Sequence, residues 1–257
     1  MSEPVSENVH VEQEGGVLTL TLARPDKKNA LTDAMYGALT DALRDCQADD
    51  SVRVVLIRGQ GDLFCAGNDI GDFMASDGKA QDRNVFRFIR LLGTFSKPLV
   101  AAVQGRAVGI GTTMLLHCDY VLLAEDAVLT TPFVNLGLVP EAGSSLLLPS
   151  FIGHQRAFAM LAMGETMDAG GALAAGLANR VVPYGELEEA ASKACARIAA
   201  LPTSAVQTTK RLMRNEQAVT ERIAIEGEEF AQALRSGEAK EAFTAFAEKR
   251  APDFSKL

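Results

Sequence analysis

The sequence predicts an α/β domain followed by an all-helical region. Short β-branched runs alternate with amphipathic helical stretches up to about residue 186, the pattern of a sheet covered by helices. Beyond that point charged amphipathic stretches follow one another with no convincing strand between them. A length of 257 residues allows one large domain, or a domain with a smaller appendage.

The elements follow in chain order. VLTLTLARP (17–25) alternates strictly and stops at Pro25, which reads as a strand. With VHVEQ (9–13) and the turn Glu14-Gly15-Gly16 it predicts an N-terminal hairpin. LTDAMYGALTDALRDCQ (31–47) puts Met35, Leu39, Ala42, Leu43 and Cys46 on one helical face, with Thr32 as N-cap. RVVLIRG (53–59), KPLVAAVQG (97–105), YVLLAE (120–125) and VLTT (128–131) read as further strands. Helices are expected over 186–201, 203–214, 221–236 and 238–250. The boundary is placed within 190–200, giving an α/β body over 1–195 and a helical region over 196–257.

Composition narrows the function. Hydrophobic residues make up 47% and charged residues 23%, which suits a packed core; Trp is absent, so packing rests on Ala, Leu and Val. A formal charge of −8 argues against nucleic acid as a partner, while an anionic small molecule held by local basic residues stays open. Cys46, Cys65, Cys118 and Cys195 form no C-x-x-C pair, and His10, His117 and His154 are scattered, so neither a metal site nor a disulfide framework is expected. No secretory signal or membrane-spanning run is expected, and the acidic first residues lack the Arg-rich character of a transit peptide. The ending Ser255-Lys256-Leu257 matches the peroxisomal address, or is simply the tail of the last helix.

Three stretches could build a site. In GQGDLFCAGNDI (59–70), Gly61 and Gly67 flank an apolar segment and allow close backbone approach, with the Asn68 N–H facing a cleft. Taken alone, those residues read better as an ordinary strand-to-helix turn. VQGRAVGIGTTMLL (103–116) carries Gly109-Ile110-Gly111 before an apolar helix start, without phosphate-loop or dinucleotide spacing. Its unpaired N–H groups and helix dipole suit a developing oxyanion. TPFVNLGLVPEAGSS (131–145) holds one ionisable side chain, Glu141. It is either a helix-start charge, or a carboxylate whose burial raises its pKa and fits it for moving protons.

LARPDKKNAL (22–31), FCAGNDI (64–70), AAVQGRAVGIG (101–111), CDYVLLAEDA (118–127), LGLVPEAGSS (136–145) and EAFTAFAEKRAPDF (241–254) together resemble the enoyl-CoA hydratase/isomerase (crotonase) superfamily. The resemblance covers nearly the whole chain. It implies a crotonase-like spiral of repeated ββα turns with two near-perpendicular sheets and a C-terminal helical trimerisation region. It also implies an acyl-CoA thioester ligand and a homotrimer or a hexamer of paired trimers. No separate cofactor is implied, since coenzyme A enters as part of the substrate, and neither nucleic acid nor membrane insertion is expected.

By motif position, the two N–H groups that hold a thioester oxygen fall on Asn68 and Ile110. Ala66, Gly67, Asp69, Ile70, Gly109, Gly111, Phe133 and Leu136 then line the acyl-CoA site. Arg24, Lys27 and Lys28 sit where the family binds the nucleotide end, and Lys249 or Arg250 would reach it from a neighbouring subunit. The acyl pocket is expected around residues 70–95, with a possible contribution from that neighbour.

The two glutamates of the hydratase pattern are replaced by Thr113 and Phe133, while Glu141 matches the single acid/base of the isomerases. Phe133, Leu136, Leu138 and Val139 would keep that carboxylate dry. The resemblance therefore implies a 3-enoyl to 2-enoyl-CoA isomerase. The alternatives are a hydratase, a cyclic acyl-CoA isomerase, a thioesterase, or a non-catalytic acyl-CoA-binding member. The expected setting is the bacterial cytoplasm, or the peroxisome in a eukaryote.

Overall fold

Strand β2 (Val17–Leu22) shows how the sheet is built: Leu18, Leu20 and Leu22 are buried on one face, as the alternation requires. The structure, a computed structural model, describes residues 7–71 and 83–256. β1 (Val9–Glu14) pairs antiparallel with β2 through the expected hairpin. β3 (Val54–Gly59), β4 (Leu99–Val103), β6 (Tyr120–Ala124) and β9 (Arg180–Val182) add in parallel, giving the order β1-β2-β3-β4-β6-β9.

The central strands are buried on both faces. Val55, Ile57, Leu99, Ala101, Val121 and Leu123 face one core. Val54, Leu56, Val100, Ala102, Leu122 and Ala124 face another. Doubly covered parallel strands read as unbroken apolar runs, and KPLVAAVQG does. The first core is closed by α1 (Asp33–Ala48) packed on α2 (Asn84–Thr94). Thr32 caps α1 as expected, its side chain accepting from the Met35 N–H at 3.3 Å. The second core is closed by α7 (Leu187–Ala199).

A smaller sheet joins β5 (Arg106–Val108), β7 (Val128–Thr130) and β8 (Met167–Asp168). Sequence periodicity finds neither β5, β8 nor β9, because runs of three, two and three residues are too short to show alternation. Four further helices precede β9 in the chain: α3 (Ile110–Thr113), α4 (Ser144–Ile152), α5 (His154–Met163) and α6 (Ala169–Ala175).

The last helices are α8 (Thr203–Met213), α9 (Glu216–Ala233) and α10 (Gly237–Ala247). α9 begins before the expected Glu221, because the Asn215 side chain caps it by accepting from the Ala218 N–H at 3.1 Å. The boundary near 195 falls inside α7, whose Ala191, Cys195 and Ala199 all pack on the large sheet.

α9 lies against α2 and α4. Gly93 permits the first contact, since a Cβ there would come within 2.9 Å of Ile223 Cδ1. α8 is tied to the sheet by Lys210, whose ammonium donates to Lys97 O and Asp119 Oδ2, each at 2.7 Å. Asp119 Oδ2 also accepts from the Leu99 N–H at 2.8 Å. Among the described residues no helix is long and apolar enough to cross a membrane.

Candidate active site

The loop after β3 is pressed against the small sheet. Cys65 pairs with Ala107 in a parallel bridge: its N–H donates to Arg106 O at 3.1 Å, and Val108 N–H donates to Cys65 O at 2.9 Å. Gly67 has φ 91°, and a Cβ on it would lie 3.1 Å from Val108 O. Gly111 is equally confined, with Cys65 O and Cβ both 2.9 Å from where its own Cβ would be. These contacts bring the loop that ends at Asn68 beside the start of α3 at Ile110.

Among the described residues neither the Asn68 N–H nor the Ile110 N–H has a hydrogen-bond acceptor. Gly109, at φ 55°, turns the chain so that α3 begins there. The carbonyl of Gly109 accepts from Thr112 and Thr113 N–H at 2.9 Å, which leaves the Ile110 amide as an open first-turn donor. Leu31 anchors the other side, donating to Gly67 O at 2.8 Å and accepting from Asp69 N–H at 2.9 Å. Tyr36, in the first turns of α1, donates its hydroxyl to Asn68 Oδ1.

Glu141 comes into the same cavity. Its residue is 8% exposed, and a narrow space is lined by Asn68, Val85, Ile89, Glu141, Ile223 and Phe230. Burial pushes its pKa up to about 8, against the Thr113 hydroxyl that donates to Oε1 and favours the charged form. The nearby Glu226 carboxyl adds to the rise. The carboxyl sits in a turn of left-handed residues, Ala142 at φ 59° and Gly143 at φ 71°, and Ser144 N–H donates to Glu141 O at 3.1 Å.

The expected site residues divide into groups. Asn68, Glu141 and the Ile110 helix start come together, with Ala66, Gly67, Ile70, Gly109 and Gly111 around them in the same two loops. Arg24 and Asp69 are paired with each other at 2.7 Å, and Arg24 also donates to Ala30 O at 3.1 Å. Lys27 and Lys28 are exposed beside them. Phe133 is buried, and Leu136 lies in a turn whose Gly137 presses on the backbone of Glu238 and Ala239. The walls of the carboxylate's cavity come instead from α2 and α9.

Lys249 is exposed, while Arg250 is engaged within its own chain by Glu241 at 2.5 Å and Glu248 at 2.6 Å. That pairing holds the Glu241 carboxyl down to about 2. Part of the acyl region expected over 70–95 lies outside the described residues.

Several contributors escaped the sequence. Tyr36 could have been noticed as an aromatic with a polar tip beside the buried stripe of α1. Asn29, fully buried at φ 52°, donates to Gln60 O and Leu63 O at 2.9 Å and accepts from the Arg24 N–H. It knits the basic loop to the glycine loop, and no periodicity marks it.

Residues 12–256 match the protein family described as Enoyl-CoA hydratase/isomerase. The 1,2-epoxyphenylacetyl-CoA isomerase of Escherichia coli (strain K12) is 34% identical over 255 residues, 96% of this chain and 97% of that protein. The enoyl-CoA delta isomerase 2 of Rattus norvegicus is 36% identical over 218 residues, 82% of this chain and 56% of that protein. A crystal structure of an enoyl-CoA hydratase/isomerase from Pseudoalteromonas atlantica T6c superposes with a TM-score of 0.92 at 42% identity, covering 96% of this chain and 100% of that one. Proteins named as isomerases and as hydratases occur among the relatives at similar identity.

Proposed function

The chain belongs to the enoyl-CoA hydratase/isomerase (crotonase) superfamily, and from that premise we propose an acyl-CoA isomerase that moves a double bond from the 3- to the 2-position. The observation that carries this reading is the buried Glu141 carboxylate lining one cavity with Asn68, near two open backbone donors, with Thr113 and Phe133 where a hydratase would hold its glutamates.

The ionised Glu141 takes a proton from C2 of a 3-enoyl thioester. The C–H electrons form the C1–C2 double bond of a dienolate, and the thioester oxygen takes the negative charge. The Asn68 and Ile110 N–H groups stabilise that charge. The protonated Glu141 then gives its proton to C4, and the electrons return to leave a C2–C3 double bond and a restored thioester. No atom is gained or lost. The apolar Val85, Ile89, Ile223 and Phe230 limit water around the intermediate. Thr113 can hold the carboxylate but cannot activate a water as a second carboxylate would.

Arg24, Lys27 and Lys28 serve the nucleotide end of coenzyme A in this reading, which requires phosphate to compete with Asp69 for Arg24. A homotrimer or a hexamer of paired trimers, in the bacterial cytoplasm or in the peroxisome of a eukaryote, completes the proposal.

Assays with a 3-enoyl-CoA, and separately with a 2-enoyl-CoA in water, test it. Conversion of the first without hydration of the second is expected. Glu141→Gln should keep CoA-ester binding and lose at least about a hundredfold in turnover. Hydration as fast as isomerisation, or near-normal turnover in Glu141→Gln, would remove the reading.

A further inference from the structure

The turn that carries Glu141 is gripped from two sides by the C-terminal helices. From α9, the buried Glu226 accepts the Gly143 N–H at 2.5 Å and the Ser145 N–H at 2.8 Å. These are open donors at the start of α4, so one carboxylate satisfies both and faces the positive end of the helix dipole. From behind, His117 Nε2–H donates to Ala142 O at 2.7 Å, and Arg214, just past α8, donates to His117 Nδ1 at 3.1 Å. A carbonyl only accepts and a guanidinium only donates, so His117 is fixed as the neutral Nε2–H tautomer. Burial, then the Arg214 charge, keep it neutral down to about 3.

Between these holds the backbone takes two successive left-handed residues, one of them an alanine. A non-glycine residue keeps such a conformation only where its surroundings fix it. We propose that Glu226, His117 and Arg214 are positioning residues that clamp the 141–145 turn and thereby aim the Glu141 carboxyl at the open amides.

The proposal rests on Glu141 acting as acid/base, and it places the final aiming of that group in the helical region. It also carries an electrostatic consequence. The groups facing Glu141 are Glu226 from α9, Tyr36 from α1 and Thr113 from α3, with apolar side chains from α2 and the neutral His117 behind Ala142. Besides Arg214, which stands behind His117, the cation on this side is Arg222, one turn before Glu226, which reaches Ser145 Oγ at 3.4 Å. Glu226 is thus the anionic neighbour whose removal makes ionisation of Glu141 easier.

The test uses full-length Glu226→Gln, which keeps the shape but loses one acceptor and the charge, together with Arg214→Met on the opposite hold. Glu141 is followed directly by carboxyl-carbon NMR, with Glu141→Gln assigning its signal, and 3-enoyl-CoA turnover is measured in parallel. The expected result for Glu226→Gln is a Glu141 midpoint moved toward acid, with kcat down roughly ten- to a hundredfold and KM nearly unchanged, as for a misaimed group. Arg214→Met should lower kcat in the same way and release the His117 ring proton to exchange.

A purely structural role would lower the melting temperature and leave kcat and the His117 ring signal where they are, since the Glu141 midpoint also reads the lost Glu226 charge. Folded variants that keep the parent's His117 signal and kcat overturn the clamp, whether or not the Glu141 midpoint moves. If Glu226→Gln does not fold, Arg214→Met decides alone. A parent enzyme without isomerase turnover would sink the proposed reaction, whereas the His117 signal would still read the clamp.

Discussion

At the residue scale the proposed isomerisation turns on the protonation of Glu141. With its pKa pushed up to about 8, the base form is scarce at neutral pH, so kcat/KM for a 3-enoyl-CoA should climb as pH rises through about 8. A flat profile from about 6 to 9 would show that another group sets the rate. Thr113→Val removes the hydroxyl that favours the charged form, and the limb should move further toward alkali. Stability carries the same signature. A carboxyl whose folded pKa is raised contributes fully below its unfolded value of 4.5, and that contribution is lost as pH rises through about 8. Glu141→Gln should therefore gain stability relative to the parent between those values, read from urea melts at each end. A gap that narrows with rising pH would contradict the burial of the charge.

At the element scale, the loop ending in Asn68 works because its glycines let it lie flat on β5. Gly67→Ala adds a Cβ to a left-handed position and pushes it toward Val108 O, costing about 1–2 kcal/mol of folding stability. Displacing the Asn68 amide should also reduce turnover about tenfold or more, measured at saturating substrate. Tyr36→Phe frees the Asn68 side chain and tests the same loop more gently.

These elements were unevenly legible. The long periodic segments, from the alternating β2 to the Thr32-capped α1, stand out because one local pattern decides them. The strands β5, β8 and β9 do not, because pairing with distant partners creates them. Motif resemblance pointed to the two amides and the carboxylate as candidates, and the fold brings their loops near one another. The dry wall was not: Val85, Ile89, Ile223 and Phe230 lie far along the chain and look like ordinary core residues until α9 packs on α2.

At the scale of the whole molecule, an apolar groove of about 980 Å³ runs between α4 and the α7–α8 corner, lined by Leu147, Phe151, Leu201 and Met213 among others. Met213 is 80% exposed in the single chain, an exposure that self-association would relieve. Light scattering should give a mass that is a multiple of three of the 27.3 kDa chain, and Met213→Glu should shift it downward. A parent that stays monomeric would count against the trimer.

The buried Lys210 determines how the two regions come apart. Its ammonium bridges α8 to Asp119 and to the carbonyl of Lys97, at the starts of β6 and β4, so separating the helices breaks a largely buried ion pair. The body and the helical region should consequently unfold as one cooperative unit. Heating should give a single calorimetric transition, and slow amide exchange in α8 should disappear together with that of β4.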